Sequence, residues 1–143
     1  MVQRICHGEE MMALIIRADY EAEGIEFFTP DEFSQQVAYM NRPRDYVIPP
    51  HVHNPVTRSV AYTKEVLFIR SGRLRVDFYT DEQAYLHSTI LNAGDVIFLA
   101  TGGHGFEMLE DTQMIEVKQG PYAGDNDKTR FEPIAADQVR MLD

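Results

Sequence analysis

Three imidazoles and one carboxylate are the side chains best placed to do chemistry together. His51 and His53 are separated by Val52 alone. In an extended segment that spacing turns both rings to one face, so one stretch of chain offers two nitrogens to one ion. On spacing alone, two surface histidines in a Pro-rich loop is the plainer alternative. Glu65 opens the run EVLFIRSG and shares a strand face with Leu67 and Ile69. A carboxylate aimed at an apolar interior needs a compensating partner, and a metal held with His51 and His53 would be one. The alternative is a glutamate at the strand's exposed mouth. His104 lies in TGGHGF, where glycines on both sides let the backbone turn sharply and approach a ligand. The other two of the five histidines are His7, in the N-terminal stretch, and His87, which shares a strand face with Tyr85 and Thr89 and reads as filler.

The elements that must position these residues read as β-structure. Ala13–Ala18 and the IEFF following Gly24 are short β-rich runs. From Glu65 onward strands alternate with turns: 65–69, the turn Ser71-Gly72, 73–79, the turn Asp81-Glu82, 85–91, the turn 92–95, 96–99, the loop 101–103, 105–109 and 113–117. Leu74, Val76 and Phe78 alternate inward. This rhythm argues an all-β sandwich or barrel rather than βαβ units. Tyr46-Val47-Ile48 has the same texture, but Pro49-Pro50 demotes it to an edge or bend. One helix is expected: Thr29-Pro30-Asp31-Glu32 is a capping box with proline at the first helical position, and Phe33, Gln36, Val37 and Met40 follow on one face. Residues 135–142 form a short segment of helical texture that packs across the β-structure or against another subunit.

The chain has 143 residues, the size of one domain. Thirteen Lys and Arg against 23 Asp and Glu leave a formal charge of −10. That balance argues against generic nucleic-acid binding, which rests on a basic surface, and disfavours anionic membranes. A single cysteine, Cys6, excludes an intrachain disulfide and cysteine-rich zinc sites. No apolar run approaches a membrane span, and the N-terminal residues lack a signal-peptide core, so the expected location is cytoplasmic.

The order His51-x-His53, Glu65, six residues, Gly72, then Gly94-Asp95, Gly102 and His104 resembles the two motifs of the cupin superfamily. The resemblance covers roughly Tyr46–Val117. It departs from the usual pattern in the eleven residues between His53 and Glu65, in Ala100 where proline is usual, and in Met108 where asparagine often closes the second motif. The phrase IEVKQGPY, with DNDKTRF after it, is also similar to the end of small single-domain bacterial cupins, some of them among polysaccharide-biosynthesis proteins.

The resemblance implies a jelly-roll barrel in one domain: N-terminal strands and helix over 11–43, a barrel core over about 44–118 and an extension over 119–143. It implies that His51, His53, Glu65 and His104 hold a divalent metal ion. Such donors suit Fe, Mn, Ni, Co or Zn, and leave one or two positions open to water, dioxygen or substrate. The expected function is a metal-dependent enzyme, of isomerase or oxygenase type, on a small carbohydrate- or organic-acid-like substrate. Arg44, Tyr46, Tyr62, Arg70 and Lys118 are candidate polar groups at the barrel mouth. Two other readings stay open: metal-free sugar epimerisation with a histidine base and a tyrosine acid, and a non-enzymatic metal- or ligand-binding module. A homodimer is the expected assembly, because β-edges need cover and two-fold pairs are the commonest oligomers.

Overall fold

The computed structural model describes residues 1–142 and is all-β. Its strands are β1 (Val2–His7), β2 (Glu10–Ile16), β3 (Gly24–Phe27), β4 (Ala38–Asn41), β5 (Glu65–Ser71), β6 (Arg73–Tyr79), β7 (Tyr85–Asn92), β8 (Val96–Leu99), β9 (Gly103–Met108) and β10 (Gln113–Lys118). They form a five-stranded sheet in the order β1-β2-β8-β5-β10, a three-stranded sheet β7-β6-β9 and the hairpin β3-β4. All strand pairs are antiparallel. The two larger sheets face each other as a sandwich and do not close through hydrogen bonds among the described residues.

The core between them collects the inward positions of both sheets. Leu67 and Ile69 of β5 and Ile97 and Leu99 of β8 meet Leu74, Val76 and Phe78 of β6. A second cluster lies on the outer face of the five-stranded sheet, where Leu14 and Phe98 are covered by Phe28 and by partly buried Phe33, Val37 and Tyr39. Strand β2 is therefore buried on both faces. That explains its continuous apolar run MALII, since only a two-sided strand can bury consecutive side chains.

Turn chemistry fixes the register. Gly72 joins β5 to β6 at φ +85°, a left-handed conformation that glycine tolerates and residues with a Cβ resist. A Cβ there would run into the Asp111 carbonyl and lie 2.6 Å from Thr112 Oγ1. Gly72→Ala is expected to cost about 2–4 kcal/mol from strain and overpacking together, read as a lower denaturation midpoint with unchanged m-value. In the turn between β7 and β8, which lie in different sheets, buried Asp95 accepts the amides of Ala18 and Asn92 and pairs with Arg17 at 2.9 Å. Arg17 also donates to the Ile90 carbonyl, so one carboxylate ties the turn to β2 and β7.

Two helical expectations are corrected. The segment after Thr29 is not a helix. Thr29 Oγ1 instead accepts the amide of Val37 at 3.1 Å and donates to Gln36 Oε1. Gln36 Nε2 reaches back to the carbonyls of Pro30 and Phe33. The capping groups thus close a loop whose apolar residues cover Phe98, and Met40 lies in β4. Tyr46–Ile48 belongs to no strand and is exposed, as the paired prolines after it suggested. The C-terminal segment has a single 3₁₀ turn, Ala136–Gln138. It then lies parallel to β7, with Ser88 N–H donating to the Arg140 carbonyl and Leu142 N–H to the Ser88 carbonyl. The N-terminal residues form β1, the edge beside β2. No helix among the described residues is long and apolar enough to cross a membrane.

Candidate functional site

Register places two of the four candidate residues opposite each other across the mouth of the sandwich. In the three-stranded sheet His87, Phe78 and His104 share one rung. In the five-stranded sheet Leu99, Glu65 and Lys118 share another. Alternation turns the inner faces of these rungs towards each other, because Leu67 and Ile69 follow Glu65 into the core while Val76 and Leu74 follow Phe78. The result is a contact between sheets: His104 Nε2 lies 3.2 Å from Glu65 Oε2, and Lys118 Nζ lies 3.7 Å from Glu65 Oε1.

Glu65 is only 7% exposed. The hydrogen bond from His104 holds its carboxyl below the usual carboxylate range; burial works the other way, and the charges of His104, Lys128 and Lys118 add to the lowering. Lys118 is pulled down by burial but is held above its ordinary range by Glu65 and Asp127. Asp127, 3.4 Å from Lys118, also accepts the hydroxyl of Thr63, which lowers its pKa. Carboxylates and ammonium are therefore all charged near neutral pH. An ionised Glu65 accepts the His104 Nε2–H, so Nδ1 is the ring nitrogen that the carboxylate does not engage.

Thr63, Glu65, His104 and Asp127 line a cleft of about 740 Å³. Gly102, Gly103 and Gly105 form one wall, Tyr62 and Thr63 another, and Lys128–Phe131 of the C-terminal segment close a third. Phe131 is fixed there by an edge-to-face contact with Tyr79, whose hydroxyl accepts the Ile134 amide at 3.0 Å. Gly102 has φ +72°, and a Cβ on it would lie 2.7 Å from the Tyr79 carbonyl, so the glycines beside His104 let this wall pack closely.

His51 and His53 are placed elsewhere. Both lie in the exposed segment between β4 and β5, with ring centroids 5.2 Å apart, and His51 Nδ1 is 3.0 Å from the Pro49 carbonyl. The four expected donors thus fall into two pairs, and among the described residues no group of three or more His, Cys, Asp or Glu could hold a metal ion. Of the mouth candidates, Lys118 meets Glu65 and Tyr62 lines the cleft. Arg44, Tyr46 and Arg70 are exposed and do not line it. Thr63, Asp127 and Lys128 were not legible as site residues. Asp127 and Lys128 lie in a polar, turn-rich segment with no periodicity to place it beside β10, and Thr63 lies in the irregular stretch before β5.

His87 faces the sandwich interior against Phe78, with ring centroids 5.4 Å apart, and its Nδ1 is buried without a hydrogen-bond partner among the described residues. Burial first, and the charge of Arg140 second, push its pKa below the ordinary histidine value. The unfolded chain then binds this proton more readily than the folded one. The stability contribution is full above the unfolded pKa of about 6.5 and is lost as pH falls through the folded value. His87→Phe is expected to flatten the loss of stability between about pH 7 and pH 5, measured by chemical denaturation at each pH.

Comparison with protein-family models, with curated proteins and with solved structures finds no match for this chain.

Proposed function

We propose that the cleft is the active site of an enzyme acting on a small, polar, carbohydrate- or organic-acid-like molecule, with Glu65 and His104 as its proton-transfer couple. The observation that carries this reading is the 3.2 Å contact between His104 Nε2 and Glu65 Oε2 at a roomy cleft. A carboxylate that fixes an imidazole leaves its other nitrogen aimed and basic, which is the arrangement general base catalysis needs. The reaction class is isomerisation or epimerisation: His104 takes a proton from a carbon beside a carbonyl and returns it to the same or the neighbouring carbon. Lys118, already shared between Glu65 and Asp127, stays protonated and acts as a fixed charge. The facing sheets are compatible with a cupin jelly roll, and the glycine-flanked His104 supports that reading.

The test is solvent-deuterium incorporation. The protein is incubated in D₂O with a panel of aldoses, ketoses, sugar phosphates and hydroxy or keto acids, and deuterium at carbon is read by NMR. Exchange in at least one class, lost in His104→Ala, is the expected result. Exchange unchanged by His104→Ala would contradict it.

A second reading is favoured by His51 and His53, whose rings stand together on the segment that runs into Glu65. If that segment closes on the cleft, His51, His53, Glu65 and His104 would hold a divalent Fe, Mn, Ni, Co or Zn ion, which would act as a Lewis acid or bind dioxygen. As placed, the donors do not make such a centre, and the proton-transfer reading does not depend on one. Stoichiometric metal in the purified protein, lost in His51→Ala and His53→Ala, supports this second reading; its absence removes it.

A further inference from the structure

Every residue from 40 to 62 is exposed, 23 in succession. The segment is not a polar loop. Val47 is 75% exposed, Val52 86%, Val56 61% and Tyr62 71%, and Tyr46 and Ile48 are also more than half exposed. Both ends are fastened to the body. Asn41 pairs with Gly24 in the β3–β4 hairpin, and the Lys64 carbonyl accepts the amide of Gln119. Between these roots lies a long apolar arm, exposed along its length, that meets the cleft at Tyr62.

A matching bare surface exists. The layer that covers the outer face of the five-stranded sheet ends over β2 and β8, where it buries Phe98. Beyond it, on β5 and the edge strand β10, Phe68, Ile115 and Val117 are 41%, 53% and 56% exposed. Ile115 is opposite Phe68 and Val117 opposite Val66, so they form one apolar patch on an edge strand with a free side. Such a patch is a site of association unless something covers it.

Charge favours a copy of this chain as the cover. The arm holds Arg42, Arg44 and Arg58 against Asp45 alone, two net positive charges in a chain of formal charge −10, which leaves −12 on the remainder. The cleft on the inner side of the β10 edge is itself rich in carboxylates, with Glu10, Glu65, Asp81, Glu116 and Asp127 against Lys128, Arg130 and Lys118. A basic arm is attracted to the acidic body of a second copy. Its length also suits, since stable interfaces use about 20–30 residues a side.

We propose that two copies exchange these arms. Each arm lies along the β10 edge of the other body, covers Phe68, Ile115 and Val117, and delivers His51 and His53 to the cleft mouth beside Glu65 and His104. The site is then completed in trans. This rests on the cleft reading only for the destination of the two histidines.

Cross-linking tests the exchange without turnover. In a Cys6→Ser background, Val52→Cys and Thr129→Cys put thiols on the arm and on the cleft wall, both at exposed positions. A short bis-maleimide is expected to give mainly a covalent dimer on a denaturing gel, and the untreated protein to sediment at twice 16.4 kDa. An intrachain link in a monomer would mean that the arm closes on its own cleft and would overturn the proposal, as would no link. Ile115→Lys with Val117→Lys is expected to raise the dimer dissociation constant by at least about 30-fold, the effect of losing an interface hot spot, with an unchanged circular dichroism spectrum. A dimer that withstands both lysines would place the interface elsewhere. Failure of the deuterium assay alone leaves these results standing, so the two claims fail separately.

Discussion

His104→Ala is expected to lower solvent-deuterium incorporation by about 100- to 10,000-fold, the range that a positioned general base contributes. The size follows from what the side chain does in this fold. Its rung on β9 faces the Glu65 rung across the sandwich, so Nε2 is held by a buried, ionised carboxylate. Alanine removes the proposed proton acceptor and leaves Glu65 with Lys118 as its remaining ion-pair partner. Glu65→Gln is expected to cost less, because the amide oxygen still accepts the imidazole N–H while the stabilising charge is gone. A pattern in which Glu65→Gln is the more damaging variant would shift the base role to the carboxylate. Measuring both in one assay, with folding checked by thermal melts, separates the two roles.

Phe98→Ala is expected to cost about 3–5 kcal/mol. Phe98 is fully buried on the outer face of β8, among Leu14, Phe28 and Ala100, with Phe33 at a ring-centroid distance of 6.1 Å. Its ring joins the five-stranded sheet to the 28–37 loop that the sequence presents as a helix. That loop is closed by Thr29 and Gln36 and has no regular backbone ladder of its own, so it cannot collapse easily into the cavity. For a chain of this size the expected fall in Tm is on the order of 10 °C. A loss below about 1 kcal/mol would show that the covering layer is dispensable.

The legible part of the fold was the part governed by local period. Leu74, Val76 and Phe78 announce β6 because one face of that strand is core and the other is not. Gly72 and Gly94 announce their turns because those turns need left-handed backbone, at φ +85° and +90°. The misread helix has a different cause. Thr29 and Glu32 carry a real capping signal, but the Thr29 hydroxyl finds the Val37 amide across a loop, and packing of Phe33 and Val37 on the sheet outweighs local propensity. Strand β1 was hidden because it is an edge, with only Ile5 buried.

In the site, Glu65 and His104 were legible as residues with inward or glycine-flanked settings. Their contact with each other was not, because it depends on how two sheets stack and no spacing encodes that. Lys118 becomes a partner of Glu65 through the β5–β10 register, and Asp127 through the path of the C-terminal segment, both long-range facts. His51 and His53 lie in the exposed 40–62 segment, which has no alternating pattern that ties it to a sheet.

The most direct measurement of the central claim is the ring ¹⁵N spectrum of His104 in protein labelled at histidine and assigned with His104→Ala. In the neutral ring it should report Nε2 protonated and Nδ1 bare, a tautomer lost or averaged in Glu65→Ala. A His104 ring protonated at Nδ1 alone, or one indifferent to removal of the Glu65 carboxylate, would contradict the account.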